Sequence, residues 1–188
     1  DGVQAKANGI ANYYTNIQDA LKETAANGTV YVLPGLYKQG TINVNGGRKL
    51  IAVRDAKNKV NGKNDPNLTS WPVIIESIGN GIQSFGGQSD VTINGFYIRQ
   101  AGGNGIHVQG TATIAMGLNA DGSKNKKDKL SMRADTICNR MNILGNRIEN
   151  TNMDGIKVNL CNEVRIIGNV IRGTSQLSKL GKNEMEQG

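Results

Sequence analysis

The chain has 188 residues and a formal net charge of +7, with 25 glycines and only 4% aromatic residues. This length suits one domain, and a Gly-rich composition is typical of short strands joined by tight turns. The positive charge favours an anionic partner, namely an acidic polysaccharide, a nucleic acid or a membrane surface. Because no apolar run approaches 18 residues, we expect no membrane span, and two cysteines are too few for a disulfide framework.

The first predicted element is an amphipathic helix that ends before the strands begin. Residues 15–18 have capping-box spacing, Ile17 and Leu21 follow helical spacing, and Asn27-Gly28 ends the helix. We therefore assign residues 1–28 to an N-terminal segment with a capping helix. Such a helix would cover the open end of a β core and block the edge of its first strand.

Short β-branched runs follow, separated by Gly, Asn and Pro, and we predict them to be strands. They lie at residues 29–33, 40–44, 49–53, 73–77 and 81–84. Two polar stretches interrupt them and predict loop insertions, at about 54–72 and 111–137. A 23-residue spacing of the strands, counted from Gln88, predicts that the next group of strands starts at residue 111. It starts instead at Cys138, so the second stretch has an excess of 27 residues. A long loop or an extra degenerate rung would both explain it, and we favour the loop.

The strongest sequence feature is an internal repeat. Residues 138–150 match residues 161–173 at an offset of 23, and residues 88–100 form a third copy. A fixed period of this size predicts stacked units, and three short strands per period describe a rung of a right-handed parallel β-helix. We expect Ile143 to lie over Ile166, Asn146 over Asn169, and Cys138 over Cys161 as free thiols or, less favoured, as a disulfide.

The predicted fold is therefore all-β: a right-handed parallel β-helix of about five rungs over residues 29–188, behind the capping helix. The segment Asn16-Ile17-Gln18-Asp19-Ala20-Leu21, followed by Gly28-Thr29-Val30-Tyr31-Val32-Leu33-Pro34-Gly35-Leu36-Tyr37, resembles the N-terminal part of the pectin-lyase-like β-helix superfamily. With the 23-residue rungs, the resemblance covers nearly the whole chain. That superfamily holds uronate-polymer lyases and epimerases, glycoside hydrolases, phage tailspikes and adhesins.

Three similar motifs predict a column of side chains on one outer face. They are Asn80-Gly81-Ile82-Gln83, Asn104-Gly105-Ile106-His107 and Asp154-Gly155-Ile156-Lys157. Strand alternation turns the isoleucines inward, so Gln83, His107 and Lys157 should stack outside. Asn80, Asn104 and Asp154 would form a parallel column, and Asn43 is a looser fourth match to the first.

The resemblance implies that the strand flanked by variable loops carries the substrate groove, which places this column in it. It further implies β-elimination or C5 epimerisation on a uronate polymer, both of which start by removing a proton α to a carboxylate. That chemistry needs a cation, a base and an acid, and we expect Lys157 to be the base and His107 the acid. The residues expected to bind substrate are Gln83, Asn80 and Asn104, with Lys124, Lys126 and Lys127 of the basic loop.

Ca²⁺ is the one cofactor that the resemblance suggests. Asp154 could hold it or could orient Lys157, but no cluster of several acids accompanies Asp154. A hydrolase is disfavoured because no paired acidic motif is present.

The expected function is thus a polysaccharide lyase or C5 epimerase, secreted or at the cell surface, with acidic polysaccharide as partner and no nucleic acid. The chain starts at Asp1, so a leader would have been removed or would lie outside this sequence. The alternative is a non-catalytic β-helix protein: an adhesin, a tailspike fragment or a carbohydrate-binding module. On that alternative His107 and Lys157 are solvated surface residues, and Asn104 and Asp154 shape turns. We favour the enzyme, and the sequence predicts no oligomeric state.

Overall fold

The computed structural model describes residues 3–7, 10–53, 59–60, 63–64, 73–115 and 131–175. These residues form one helix and many short strands. The elements of the N-terminal half are β1 (Val3–Ala7), β2 (Ile10–Tyr14), α1 (Ile17–Glu23), β3 (Thr29–Val32), β4 (Gly35–Gln39), β5 (Ile42–Asn43), β6 (Lys49–Ala52), β7 (Lys59–Val60), β8 (Lys63–Asn64), β9 (Val73–Ser77) and β10 (Ile82–Phe85). The remaining elements are β11 (Thr92–Asn94), β12 (Tyr97–Arg99), β13 (Ile106–Gln109), β14 (Thr111–Ala115), β15 (Ser131–Thr136), β16 (Cys138–Leu144), β17 (Arg147–Glu149), β18 (Ile156–Asn159), β19 (Cys161–Ile167) and β20 (Val170–Arg172).

Three stacked sheets contain most of these strands. Sheet 1 has the order β19-β16-β11-β6-β3-β1-β2, sheet 2 the order β20-β17-β12-β9-β4, and sheet 3 the order β18-β13-β10-β5. Pairing is parallel throughout sheets 2 and 3 and from β3 to β19 in sheet 1. The chain visits sheet 1, sheet 2 and sheet 3 in turn and then returns to sheet 1. The prediction of an all-β chain with parallel strand stacking is confirmed, and the arrangement is consistent with a parallel β-helix.

The 23-residue repeat is confirmed by the strand register. In sheet 1, Cys138 pairs with Cys161 and Ile143 with Ile166. Both cysteines are free thiols. Burial raises the pKa of Cys161 to about 12, and its proximity to Cys138 adds to the effect, so Cys161 stays a protonated thiol at neutral pH.

The core lies between the three sheets and is filled by β-branched and aliphatic side chains from alternate strand positions. Each sheet contributes a stack of fully or nearly fully buried side chains that touch the same position of the next strand. The stacks are Val30, Leu50, Ile93 and Ile143 in sheet 1; Ile75, Ile98 and Ile148 in sheet 2; and Ile42, Ile82 and Ile106 in sheet 3.

The turn between sheets 1 and 2 depends on a Gly followed by a polar or aromatic residue. Gly145 and Gly168 have φ of +57° and +66°, a backbone region that favours glycine. Asn146, which follows Gly145, is fully buried. Its backbone N and its Nδ2 both donate to Oδ1 of Asn169, at 2.9 and 3.0 Å. The predicted stacking of Asn146 on Asn169 is confirmed, as a hydrogen-bonded pair.

Helix α1 starts one residue later than the capping-box spacing of residues 15–18 predicts, because its N-cap is Asn16 and not Thr15, and it ends earlier than predicted. Asn16 caps it by accepting from the backbone N of Gln18 at 2.7 Å. The last turn is closed by Thr24, whose backbone N and side chain both donate to the carbonyl of Ala20. The helix therefore stops at Glu23, ahead of the Asn27-Gly28 pair. Its apolar stripe, Ile17, Ala20 and Leu21, is buried in one cluster with Val30 and Val32.

Two antiparallel features were not predicted. β1 pairs antiparallel with both β2 and β3, so β1 covers the edge of β3 that the sequence analysis assigned to the helix. Within the two predicted insertions, β7 pairs with β8 and β14 pairs with β15, both antiparallel. The described ends of the insertion after Gly110 are thus the two strands of a hairpin.

The last strands of the three sheets, β18, β19 and β20, have no further described strand stacked on them. Ile166 and Ile171 repeat the buried Ile143 and Ile148 but are about half exposed. Within the described part of the chain, no helix is long and apolar enough to cross a membrane.

Candidate functional site

The predicted column lies on sheet 3, whose strands are in register. Gln83 pairs with His107 and His107 pairs with Lys157. The looser fourth match also holds, since Asn43 pairs with Gln83. The isoleucines before these residues in β5, β10 and β13 are fully buried, so the column lies on the outer face.

His107 faces outward but is not solvated. Only 8% of its surface is exposed, because neighbouring side chains on the same outer face cover the imidazole. The Phe85 ring meets it edge-on at a centroid distance of 4.6 Å and an interplanar angle of 83°. Phe85 lies two positions after Gln83 and is therefore on the same side of β10.

Amides face both ring nitrogens of His107. Nδ1 lies 3.4 Å from Nδ2 of Asn104, and Nε2 lies 3.5 Å from Nδ2 of Asn159. Burial lowers the pKa of His107 below its ordinary 6.5, and the Lys157 ammonium lowers it further against the opposing effects of Asp154 and Gln109. The imidazole is therefore uncharged at neutral pH and holds no second proton to donate.

The second predicted column, Asn80, Asn104 and Asp154, is a hydrogen-bonded ladder. The backbone N and the Nδ2 of Asn104 donate to Oδ1 of Asn80 at 2.8 and 3.1 Å. The backbone N of Asp154 donates in turn to Oδ1 of Asn104 at 3.1 Å. Asn104 is buried. The side chains of Asn80 and Asn104 each hold the backbone of the next turn in the stack, at Asn104 and Asp154.

Gln83 connects the ladder to the N-terminal helix. Its Oε1 accepts from Nδ2 of Asn80 at 2.8 Å, and its Nε2 donates to Oδ1 of Asn43 at 2.6 Å. The backbone N of Asn43 then donates to Oε1 of Gln18 in α1 at 2.7 Å. A chain of amides thus runs from the helix to the column, and the sequence analysis did not predict it.

Lys157 and Asp154 are the solvent-accessible ionic groups of the site within the described residues. Their side chains are 38% and 53% exposed, and Lys157 Nζ lies 4.0 Å from Asp154 Oδ2. Of the two roles predicted for Asp154, this distance supports orientation of Lys157. Ca²⁺ takes six to eight oxygen ligands, and within the described residues no group of three or more His, Cys, Asp or Glu side chains includes Asp154.

The predicted substrate-binding lysines Lys124, Lys126 and Lys127 lie outside the described residues. The hairpin strands that flank them, β14 and β15, leave and rejoin the body at Thr111 and Thr136. Since β14 begins two residues after β13 ends, the insertion departs from the strand that carries His107.

Sequence analysis missed three residues that surround His107. Phe85, Gln109 and Asn159 each lie two positions after a member of the column, and β-strand periodicity would have placed them on the same face. They share one register position, because Phe85 pairs with Gln109 and Gln109 with Asn159.

Comparison with known proteins found no family model, no curated protein and no solved structure that matches this chain.

Proposed function

We propose that this chain is a right-handed parallel β-helix of about five rungs, capped by α1, that acts on acidic polysaccharide as a lyase or C5 epimerase. Secretion or a cell-surface location follows from that substrate. The observation that carries the proposal is the register of β13 and β18, which sets the Lys157 side chain beside the buried His107 on an outer face. The N-terminal resemblance to pectin-lyase-like proteins supports the same substrate class.

Lys157 is the candidate for proton removal from the uronate ring. It carries the solvent-accessible ammonium of the column, and its partner Asp154, 4.0 Å away, limits the directions it can take. His107 is a weaker candidate for the acid, because burial lowers its pKa and leaves it uncharged at neutral pH. In this proposal the neutral His107 adjoins Lys157 without adding a second positive charge, and water supplies the proton for the leaving oxygen or for the opposite face of C5.

A non-catalytic carbohydrate-binding protein is the second candidate. It is favoured by one observation: the amides of Asn80, Gln83 and Asn104 are bonded to one another. Those side chains hold the turns together, so Lys157 and Asp154 are the ionic groups that would contact a polymer at this site. A single exposed ammonium is enough to bind an anionic chain, whereas catalysis would also need an acid.

The first prediction separates these candidates with three variants of the full chain. Polygalacturonate and alginate are incubated with protein, the unsaturated product is followed by ultraviolet absorbance, and C5 inversion by NMR. For the enzyme, Lys157→Ala should lower turnover about 10²-fold or more. Lys157→Arg should keep polymer binding but lose turnover, because a guanidinium keeps its charge and does not act as a base.

A matched control is Lys22→Ala, since Lys22 also pairs with an acid three residues earlier, Asp19 at 3.3 Å, on an exposed surface of α1. It should leave turnover and binding unchanged. If the chain is instead a binding protein, the parent should form no product. Lys157→Ala should then bind the polymer more weakly and in a salt-sensitive way, and Lys157→Arg should retain binding. A parent chain that neither converts nor binds either polymer would contradict both candidates.

A further inference from the structure

A concave surface lies at the corner where the strands of sheet 2 turn toward sheet 3. It is an open groove of about 590 Å³. Its lining comes from the ends of β4 and β9 and from the turns after β4, β9 and β12, and includes Lys38, Gln39, Glu76, Ile78, Gln100 and Gly102. None of these residues belongs to the column on sheet 3.

The floor of the groove is held by backbone hydrogen bonds between successive turns. The backbone N of Gly102 donates to the carbonyl of Ser77, and that of Gly103 to the carbonyl of Gly79, both at 2.9 Å. A Cβ added at Gly102 would collide with the backbone of Ile78. The turns are therefore packed as closely as glycine permits, and the shape of the groove is set before any ligand enters.

One wall of the groove carries an excess of positive charge. Glu76 accepts from Nε of Arg99 at 2.8 Å and pairs with Nζ of Lys38 at 3.4 Å. Two cations around one carboxylate leave one positive charge unbalanced. The Lys38 side chain is 69% exposed, so this ammonium can approach an anionic ligand while Arg99 retains Glu76.

Two other features of the lining bear on what the groove could bind. Ile78 is 93% exposed at the tip of its turn, where a large apolar side chain gains nothing from burial. Nε2 of Gln39 is buried and has no hydrogen-bond partner among the described residues. The exposed Ile78 side chain gives a ligand an apolar surface at the groove, and Nε2 of Gln39 is a buried donor that is left unsatisfied in the free chain.

We propose that this groove binds the carboxylate-bearing sugar units of an acidic polysaccharide, as a second site distinct from the column. Lys38 takes the sugar carboxylate, the Gln39 amide rotates toward the groove to donate to a sugar oxygen, and the apolar face of the ring lies on Ile78. The choice of an acidic sugar rests on the proposed function, whereas the presence of a second site does not. A polymer held at both places would dissociate more slowly than from either one.

The second prediction is tested by NMR titration of the ¹⁵N-labelled full chain with a short oligogalacturonate and with its neutral methyl ester. The acid should shift the amide signals of Gly40, Ile78 and Gly102, and the ester should shift them much less. Lys38→Gln should weaken the acid's affinity at these signals roughly tenfold, as expected for loss of a hydrogen bond to a charged group. Ile78→Ser should weaken it as well. Both side chains are exposed, so the rest of the spectrum should remain that of the parent.

The controls keep this proposal separate from the proposed function. Lys157→Ala should leave the groove signals responsive to the acid, and Lys38→Gln should leave the signals of Gly105 and Lys157 unaffected. Shifts confined to Gly105 and Lys157, equal shifts with the neutral ester, or no shifts with either ligand would overturn the second site. If the parent shows no turnover but its groove still binds the acid, the proposed enzymatic function is overturned and the proposed second site is retained.

Discussion

The Asn146 side chain bonds to the backbone on both sides of the turn that follows β11, from a fully buried position. Its Oδ1 accepts from the backbone N of Phe96 at 3.0 Å, and its Nδ2 donates to the carbonyl of Ile93 at 3.1 Å. Ile93 and Phe96 flank the preceding turn between sheets 1 and 2, which follows β11. Asn169 lies in the next such turn, which follows β19, and accepts from the backbone N of Asn146. A single amide thus connects three successive turns between sheets 1 and 2.

The third prediction is that Asn146→Ala destabilises the chain by about 2–4 kcal/mol, because it leaves a buried N–H and a buried carbonyl unsatisfied. Urea unfolding followed by circular dichroism measures the loss. Asn169→Ala is the matched control, since Asn169 holds the equivalent place in the last turn but is only half-buried, and it should cost about 1 kcal/mol. A loss below about 1 kcal/mol for Asn146→Ala would show that Asn146 does not have this structural role.

At the scale of elements, the N-terminal segment protects two different surfaces. α1 buries Ile17, Ala20 and Leu21 in the core cluster that includes Val30 and Val32. β1 pairs with the edge of β3 from Val3 to Lys6. The helix therefore adds its apolar stripe to the core cluster, while the strand pairs with backbone groups of β3 that would otherwise be free to pair with another chain.

The fourth prediction follows from this separation of roles. Deleting residues 1–14 removes β1 and β2, exposes the edge of β3 and leaves α1 in place, so the variant should self-associate. Deleting residues 1–28 also uncovers the core and should aggregate more strongly and unfold at lower temperature. Light scattering and size-exclusion chromatography measure both effects. A monomeric, soluble chain without residues 1–14 would show that β1 does not protect the β3 edge.

At the scale of the whole molecule, charged groups are paired across the outer face of sheet 2. Arg99 lies between Glu76 and Glu149, and Arg172 follows Glu149 in register. Burial raises the pKa of Glu149, but hydrogen bonds from Tyr97 and Arg147 outweigh it, so the pKa lies below its ordinary 4.5. The pKa of Glu76 is likewise below 4.5, because its bonds to Arg99 and Lys38 outweigh its burial.

The fifth prediction is that the unfolding temperature falls in two stages on acidification. The folded pKa of His107 is lowered from 6.5, so the unfolded chain binds that proton more readily, and stability present above pH 6.5 is lost as the pH falls below it. Glu76 and Glu149 contribute stability above pH 4.5 that is lost below it. Calorimetry from pH 8 to pH 3 measures both stages, a range that spans the ordinary pKa values of His and Glu.

Two variants assign the stages. His107→Gln should remove the upper stage and leave the lower one, whereas Glu149→Gln should reduce the lower stage alone. An upper stage that persists unchanged in His107→Gln would show that His107 is not the group that titrates.

The repeat in the sequence was sufficient to determine which residues stack. Matching residues 138–150 to 161–173 predicted the pairing of Cys138 with Cys161 and of Ile143 with Ile166. Strand alternation predicted that His107 and Lys157 share an outer face. These inferences succeed because a parallel stack repeats its register, and because a strand turns successive side chains to opposite sides.

Tertiary structure alone decided how far each outward side chain is covered. Alternation places His107 outside the core, but Phe85 and Asn159, which bury it, come from two neighbouring strands. The edge of β3 is paired by β1, a strand in a stretch whose sequence carries no strong strand pattern. The groove around Lys38 and Ile78 is formed by three turns far apart in the sequence. Sequence periodicity encodes the direction of each side chain, whereas burial, electrostatic environment and groove shape depend on the neighbours that the fold brings beside it.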